Sequence, residues 1–105
     1  VTGVDLTVVT MAFDAAPGAA EQLGAVLARY VVLSRGHPGC RNIDLCASVT
    51  RPGRYVVIEK WDSPAAQRAH FDSPEMVAMA EAARPLLAGP PDIDLLDGVS
   101  AHDLA

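Results

Sequence analysis

Glu59, Trp61 and His70 are the residues of this chain whose types and spacing best suit shared chemistry. Glu59 and Trp61 stand two apart in Arg54-Tyr-Val-Val-Ile-Glu-Lys-Trp61, a run that reads as a β-strand, and a period of two puts both on one face. His70 follows nine residues after Trp61, one to two turns into a helix that opens at Ser63-Pro64. It can therefore approach the strand end that carries Trp61. An aromatic wall with a carboxylate and an imidazole makes a pocket for a small molecule, and the imidazole can take or give a proton near neutral pH. His37, just before Pro38, is a candidate for the pocket mouth. Asn42 and Asp44 share a face of the neighbouring strand, which looks either into the pocket or into water. A plainer set of roles competes with this one: Trp61 as core, Glu59 as a strand-end charge, His70 as a helix-surface residue.

Other chemistries lack their residues. There is no Gly-rich phosphate loop, no paired Cys or His spacing for a metal, and no nucleophile elbow. The three histidines, His37, His70 and His102, fall in a loop, a helix and a tail, so no metal site is expected.

The elements that must position these residues follow from periodicity and turn chemistry. Asp5–Phe13, rich in Val and Thr, reads as a first strand, closed by Asp14-Ala-Ala-Pro-Gly18. From Ala19 to about Ser34, Leu23, Val26, Leu27, Tyr30 and Leu33 recur at helical spacing. Gly36 and Pro38 end that helix, with Gly36 as the expected C-cap. Cys40–Val49 alternates, with Ile43, Leu45, Ala47 and Val49 on one face and Cys40, Asn42, Asp44, Cys46 and Ser48 on the other. Arg51-Pro-Gly-Arg54 makes a hairpin turn into Tyr55–Trp61. Ser63-Pro64 and Ser73-Pro74 start two helical pieces, the first to about Phe71 and the second to about Leu87, with Pro85 bending or ending it. Asp92–Val99 reads as the last strand, and Ser100–Ala105 as a loose polar tail.

The order is βαββαβ. It predicts one α+β domain over residues 1–105, ferredoxin-like, with a four-stranded antiparallel sheet and helices on one face. Tyr55-Val-Val-Ile58 is apolar on both sides, and a strand of that kind expects cover on both sides. The helices supply one. A second copy, packed sheet to sheet as a homodimer, would supply the other.

At 105 residues the chain has room for one core. Its net charge of -5, with Lys60 and seven scattered arginines as its only basic residues, argues against nucleic acid or an anionic membrane as partner. No apolar run approaches the roughly 20 residues that span a bilayer. Cys40 and Cys46 lie about 20 Å apart in one strand, beyond disulfide reach, so a reducing cytoplasm is the expected location.

The run Pro38-Gly39-Cys40, Tyr55-Val-Val-Ile-Glu59-Lys-Trp61, Ser63-x-x-Ala66, His70, Ser73-Pro74 and Pro85-Leu-Leu-Ala-Gly-Pro-Pro91 resembles the antibiotic biosynthesis monooxygenase family along nearly the whole chain. Glu59, Trp61 and His70 bring it nearest to the quinol-monooxygenase-like branch, although Glu75 stands where many of those members have a His. The resemblance implies a dimeric α+β barrel. It implies a cofactor-independent monooxygenase with molecular oxygen as co-substrate and a quinol, phenol or aromatic polyketide-like small molecule as substrate. His70 would be the base, Trp61 with Phe71 and Tyr30 the aromatic wall, Glu59 a further catalytic group, and Asn42 and His37 donors to the substrate anion. Haem is not expected, because Ala80 and Met11 stand where the haem-degrading branch has its iron-ligating His and its Asn. Val57 replaces the Asn of the polyketide branch. Two other readings fit the scaffold: an isomerase or other small-molecule enzyme, and a non-catalytic dimer that binds a small ligand.

Overall fold

The turn residues divide the chain into β1 (Thr7–Asp14), α1 (Ala20–Ser34), β2 (Cys40–Ala47), β3 (Arg54–Trp61), α2 (Pro64–Phe71), α3 (Pro74–Ala83) and β4 (Asp92–Asp97). The structure is a computed structural model that describes residues 6–101 and 103. Asp5 of the predicted first strand, and His102, Leu104 and Ala105 of the predicted tail, lie outside the described residues.

The strands form one antiparallel sheet in the order β2-β3-β1-β4, the ferredoxin-like arrangement. Thr7 pairs with Trp61, Val9 with Glu59 and Leu95, and Met11 with Val57 and Ile93. That register sends Val9, Met11, Phe13, Ile43, Val57, Glu59 and Trp61 toward the helices, where all are buried. Leu23, Leu27, Tyr30 and Val31 of α1 and Met76, Met79 and Ala83 of α3 meet them and complete the core. Each large apolar side chain buried here contributes about 1.5–3 kcal/mol relative to exposure.

Local chemistry sets the helix starts. The Ser63 hydroxyl accepts from the Ala66 N–H at 3.1 Å, the Ser73 hydroxyl accepts from the Met76 N–H at 3.2 Å, and Pro64 and Pro74 occupy the first turns. Pro85 has the effect expected of it: α3 stops at Ala83 and the chain runs on as a 3-10 turn over Arg84–Leu86.

Several details depart from the sequence reading. The left-handed glycine after α1 is Gly39 (φ 81°), not Gly36, and Arg35 continues the helical backbone past Ser34. The Arg35 guanidinium instead ties the helix end to β2 by donating twice to the Ile43 carbonyl. Leu33 is exposed, and Val31 and Ser34 are buried in its place. β2 ends at Ala47 because the Ser48 hydroxyl accepts from Arg51 N–H and starts the turn early, leaving Val49 fully exposed. A bulge between Cys40 and Asn42 makes Arg41 the extra residue, so Cys40 pairs with Trp61 and joins its face while Cys46 stays on the other. Both cysteines are free. β4 ends at Asp97 and all its residues are exposed.

Candidate functional site

β3 directs Glu59 and Trp61 into the layer between sheet and helices, α1 brings Tyr30 down onto them, and α2 closes the end with His70. All four are buried: Trp61 is 0 % exposed, Glu59 and Tyr30 2 %, His70 3 %. The Tyr30 hydroxyl donates to Glu59 Oε2 at 2.5 Å, and the Trp61 indole N–H donates to Glu59 Oε1 at 3.0 Å. His70 Nε2 lies 2.8 Å from the Tyr30 oxygen. The His70 ring stacks on Trp61 with centroids 4.6 Å apart and meets His37 edge-on at 4.8 Å. His37 Nε2 is in turn 2.7 Å from Glu75 Oε1, linking the α1–β2 turn to the first turn of α3.

Proton counting fixes the roles. Tyr30 has one hydroxyl hydrogen, and it goes to Glu59. Its oxygen can then only accept from His70, so Nε2 carries the ring proton and Nδ1 is a bare lone pair. Nδ1 is buried and has no hydrogen-bond partner. A bare acceptor there costs less than an unpaired N–H, and an imidazolium would cost more still. Burial, and secondarily the neighbouring His37, lower the His70 pKa to about 4, so the ring is neutral at pH 7. Burial pushes the Glu59 carboxyl up, and the Tyr30 and Trp61 donors pull it partly back. Burial and the Glu59 charge raise Tyr30 well above the ordinary phenol range. Cys40 is raised by burial and then by Glu59, which makes it a poor nucleophile.

The structure therefore brings together Glu59, Trp61, His70, Tyr30 and, at the margin, His37. It does not bring Asn42 or Phe71. Asn42 sits opposite Lys60 on the other face of the sheet, exposed, and donates to Asp44 at 2.9 Å. Phe71 ends α2 with 43 % of its surface exposed.

The open volumes lie beside this cluster, not within it. A groove of about 180 Å³ between α1 and α3 is lined by Tyr30, Leu33, Glu75 and Met79 among others. A larger cavity of about 410 Å³ lies between α3, Gly89-Pro-Pro91 and the β1–β4 edge, with Phe13, Met76, Met79, Ala83 and Ile93 in its wall. Beside Met76 and Met79, α3 offers this space only the small Ala80 and Ala83. Sequence reasoning missed it, since a gap shows only once two elements fail to close. No group of three or more metal-ligating side chains is arranged around a common point among the described residues, and no helix among them is long and apolar enough to cross a membrane.

Fold and cluster together define a ferredoxin-like α+β protein with a buried carboxylate–phenol–imidazole chain. The sequence profile of the antibiotic biosynthesis monooxygenase family matches residues 7–82, and the chain belongs to that family. Similar solved structures include Rv0793 from Mycobacterium tuberculosis, 26% identical with a TM-score of 0.83, the match covering 95% of this chain and 99% of that one. PA3566 from Pseudomonas aeruginosa is also 26% identical, with a TM-score of 0.83 and coverage of 94% and 99%. A protein from Caulobacter crescentus CB15 described as a "putative antibiotic biosynthesis monooxygenase" is 28% identical, with a TM-score of 0.82 and coverage of 92% of each chain. No curated protein matches the sequence.

Proposed function

We propose that the protein is a cofactor-independent monooxygenase that uses O₂ to oxidise a small electron-rich phenol or quinol, with His70 Nδ1 as the proton acceptor. The observation that carries this reading is the His70 imidazole whose Nδ1 is buried and unpartnered while Nε2 is held by Tyr30, whose hydroxyl donates to Glu59. A base oriented by a second group, which is oriented by a third, is the arrangement general-base chemistry needs.

The chain offers a relay. A phenolic hydroxyl gives its proton to Nδ1, the Nε2 proton passes to Tyr30, and the Tyr30 proton passes to Glu59. The negative charge moves from the carboxylate to the substrate and no net charge is created. Burial, which raises Glu59, favours that transfer. The phenolate then gives one electron to O₂, the radical pair recombines to a C–O bond, and loss of water leaves the quinone. One oxygen atom enters the product, the other leaves as water, and no outside reductant is required. A substrate reaches Nδ1 only by displacing a neighbour, and His37 is the least buried of the rings around His70. The groove beside Tyr30, about 180 Å³, suits one ring; engineered cavities of about 150 Å³ hold benzene. The working form is a homodimer closed through the open sheet face, in the cytoplasm.

Oxygen uptake with a panel of hydroquinones tests the reading. His70→Ala and Glu59→Gln should each lower turnover by a factor of about 10²–10⁴. Variants that consume oxygen at the native rate would remove His70 and Glu59 from the mechanism. A second reading, a non-catalytic ligand-binding protein whose buried chain is structural, draws on the full enclosure of Trp61 and Glu59. It predicts no uptake with any quinol.

A further inference from the structure

Among the described residues, the rings of Tyr30, Trp61 and His37 meet His70. Tyr30 and Trp61 are buried, but the His37 side chain keeps 24 % of its surface exposed. His37 is therefore the side of His70 that faces solvent. One side chain from another element holds it there: His37 Nε2 meets Glu75 Oε1, in the first turn of α3, at 2.7 Å. The Glu75 backbone N–H, and then His37, hold the Glu75 carboxyl below the usual carboxylate range, so it is ionised at neutral pH and Nε2 donates to it.

Glu75 has a second neighbour. It lines the 180 Å³ groove together with Tyr30, yet neither His37 nor His70 is in that groove's wall. The groove stops short of His70, whose Nδ1 is buried and unpartnered. The turn that carries His37 is fixed at its backbone. The His37 N–H donates to the Ser34 carbonyl at 3.1 Å, and the His37 carbonyl accepts from the Cys40 N–H at 3.1 Å. Displacing the ring is then a side-chain rotation, not a loop movement. The turn beside it is open, since a Cβ at Gly36 would meet nothing within 4 Å.

We infer that Glu75 is a positioning residue that latches His37 over His70, and that release of the latch swings the His37 ring aside and joins the groove to His70 Nδ1. Entry then competes with the closed state, so the latch sets how often a guest finds the site open. That the guest is a phenol or quinol rests on the proposed role of His70 as base; the latch does not.

Diethyl pyrocarbonate, which acylates an accessible uncharged imidazole nitrogen, tests the latch on the full chain without any substrate. Labelling of each histidine is followed by peptide mass spectrometry under single-hit conditions. In the native chain His37 should be labelled well ahead of His70. Glu75→Ala and His37→Ala should each speed labelling of His70 by about tenfold. The double variant should be no faster than His37→Ala alone, because both changes open one latch, whereas general loosening would make the effects multiply. Glu81→Ala, which removes an exposed carboxylate elsewhere on α3, should leave the native rate. His70 labelled as fast as His37 in the native chain would mean that no latch closes over it. A native labelling rate in Glu75→Ala, or effects that multiply in the double variant, would overturn the role of Glu75. Oxygen uptake with hydroquinones reads the base role separately, so either inference can fail alone.

Discussion

The Tyr30 hydroxyl is the joint of the buried chain, because one oxygen serves two partners on different elements. Tyr30→Phe keeps the ring and removes that oxygen, leaving a Glu59 oxygen and His70 Nε2 without a partner. The expected loss is about 2–4 kcal/mol, measured by urea unfolding at pH 7; a loss near zero would mean that water replaces the hydroxyl. His70 also makes stability depend on pH. Its folded pKa is about 4 against an ordinary value of 6.5, so on acidification the unfolded chain takes up the proton first. The stability His70 permits is present above about pH 6.5 and is lost as pH falls toward 4. Glu59, raised in the fold, acts in the opposite direction: its favourable contribution is present at low pH and lost as pH rises through its raised value. His70→Gln should therefore flatten the fall in stability between pH 6.5 and 4 seen in the native chain; equal slopes in both would show that His70 is not depressed. Glu59 and Trp61 were legible from a period of two and His70 from helical spacing. Tyr30 was legible as a buried helix position, but its bond to Glu59 spans 29 residues and two reversals of the chain. Spacing along one element carries no information about such a bond.

Elements stop where local chemistry and tertiary packing agree, and two glycines separate those causes. Gly36 and Gly39 both suit a turn by composition. Gly39 has φ 81°, and a Cβ placed there would lie 2.5 Å from Ala66 Cβ, where α2 crosses the start of β2. Gly36 has no positive φ, and a Cβ there meets nothing within 4 Å. Gly39→Ala should cost about 2 kcal/mol or more from left-handed strain and the clash together. Gly36→Ala should be neutral or stabilise by up to about 1 kcal/mol by restricting the unfolded chain. Thermal unfolding of the pair measures both, and equal effects would contradict the packing account. The same division governs what could be read in advance. Ser63-Pro64 and Ser73-Pro74 carry their capping chemistry within four residues, so both helix starts were visible. The bulge at Arg41 left only a faint sign, since strict alternation puts that charge on the apolar face of Ile43 and Leu45, and pairing with β3 resolves the mismatch by making Arg41 the extra residue.

At the scale of the whole molecule, the face of the sheet away from the helices is the unfinished part. Register places Val8, Ala12, Val56, Ile58 and Leu96 there, with Thr10 and Lys60 on the same two central strands, Asn42 and Asp44 along the β2 side and Asp92 and Asp94 along the β4 side. A mainly apolar centre with a polar rim is the composition of a protein–protein contact, and sheets stack about 10 Å apart face to face. The two-sided apolarity of Tyr55–Ile58 showed in the sequence, and a second copy is the proposed cover for this face. The proposed homodimer predicts a species of about 22 kDa, twice the 11.0 kDa chain, in sedimentation velocity at micromolar concentration. Ile58 sits mid-face, opposite Thr10 and Asp44, and points away from the Tyr30 cluster. Ile58→Glu would carry a carboxylate into the middle of that contact, two residues from Lys60 on the same face, and should weaken association by about tenfold or more. The variant should run as a folded monomer with an unchanged far-UV spectrum, since Glu59 and Trp61 on the opposite face keep their partners. A native chain that sediments at 11.0 kDa up to roughly 100 µM, where even weak dimers of micromolar Kd would form, would end the case for self-association through this face.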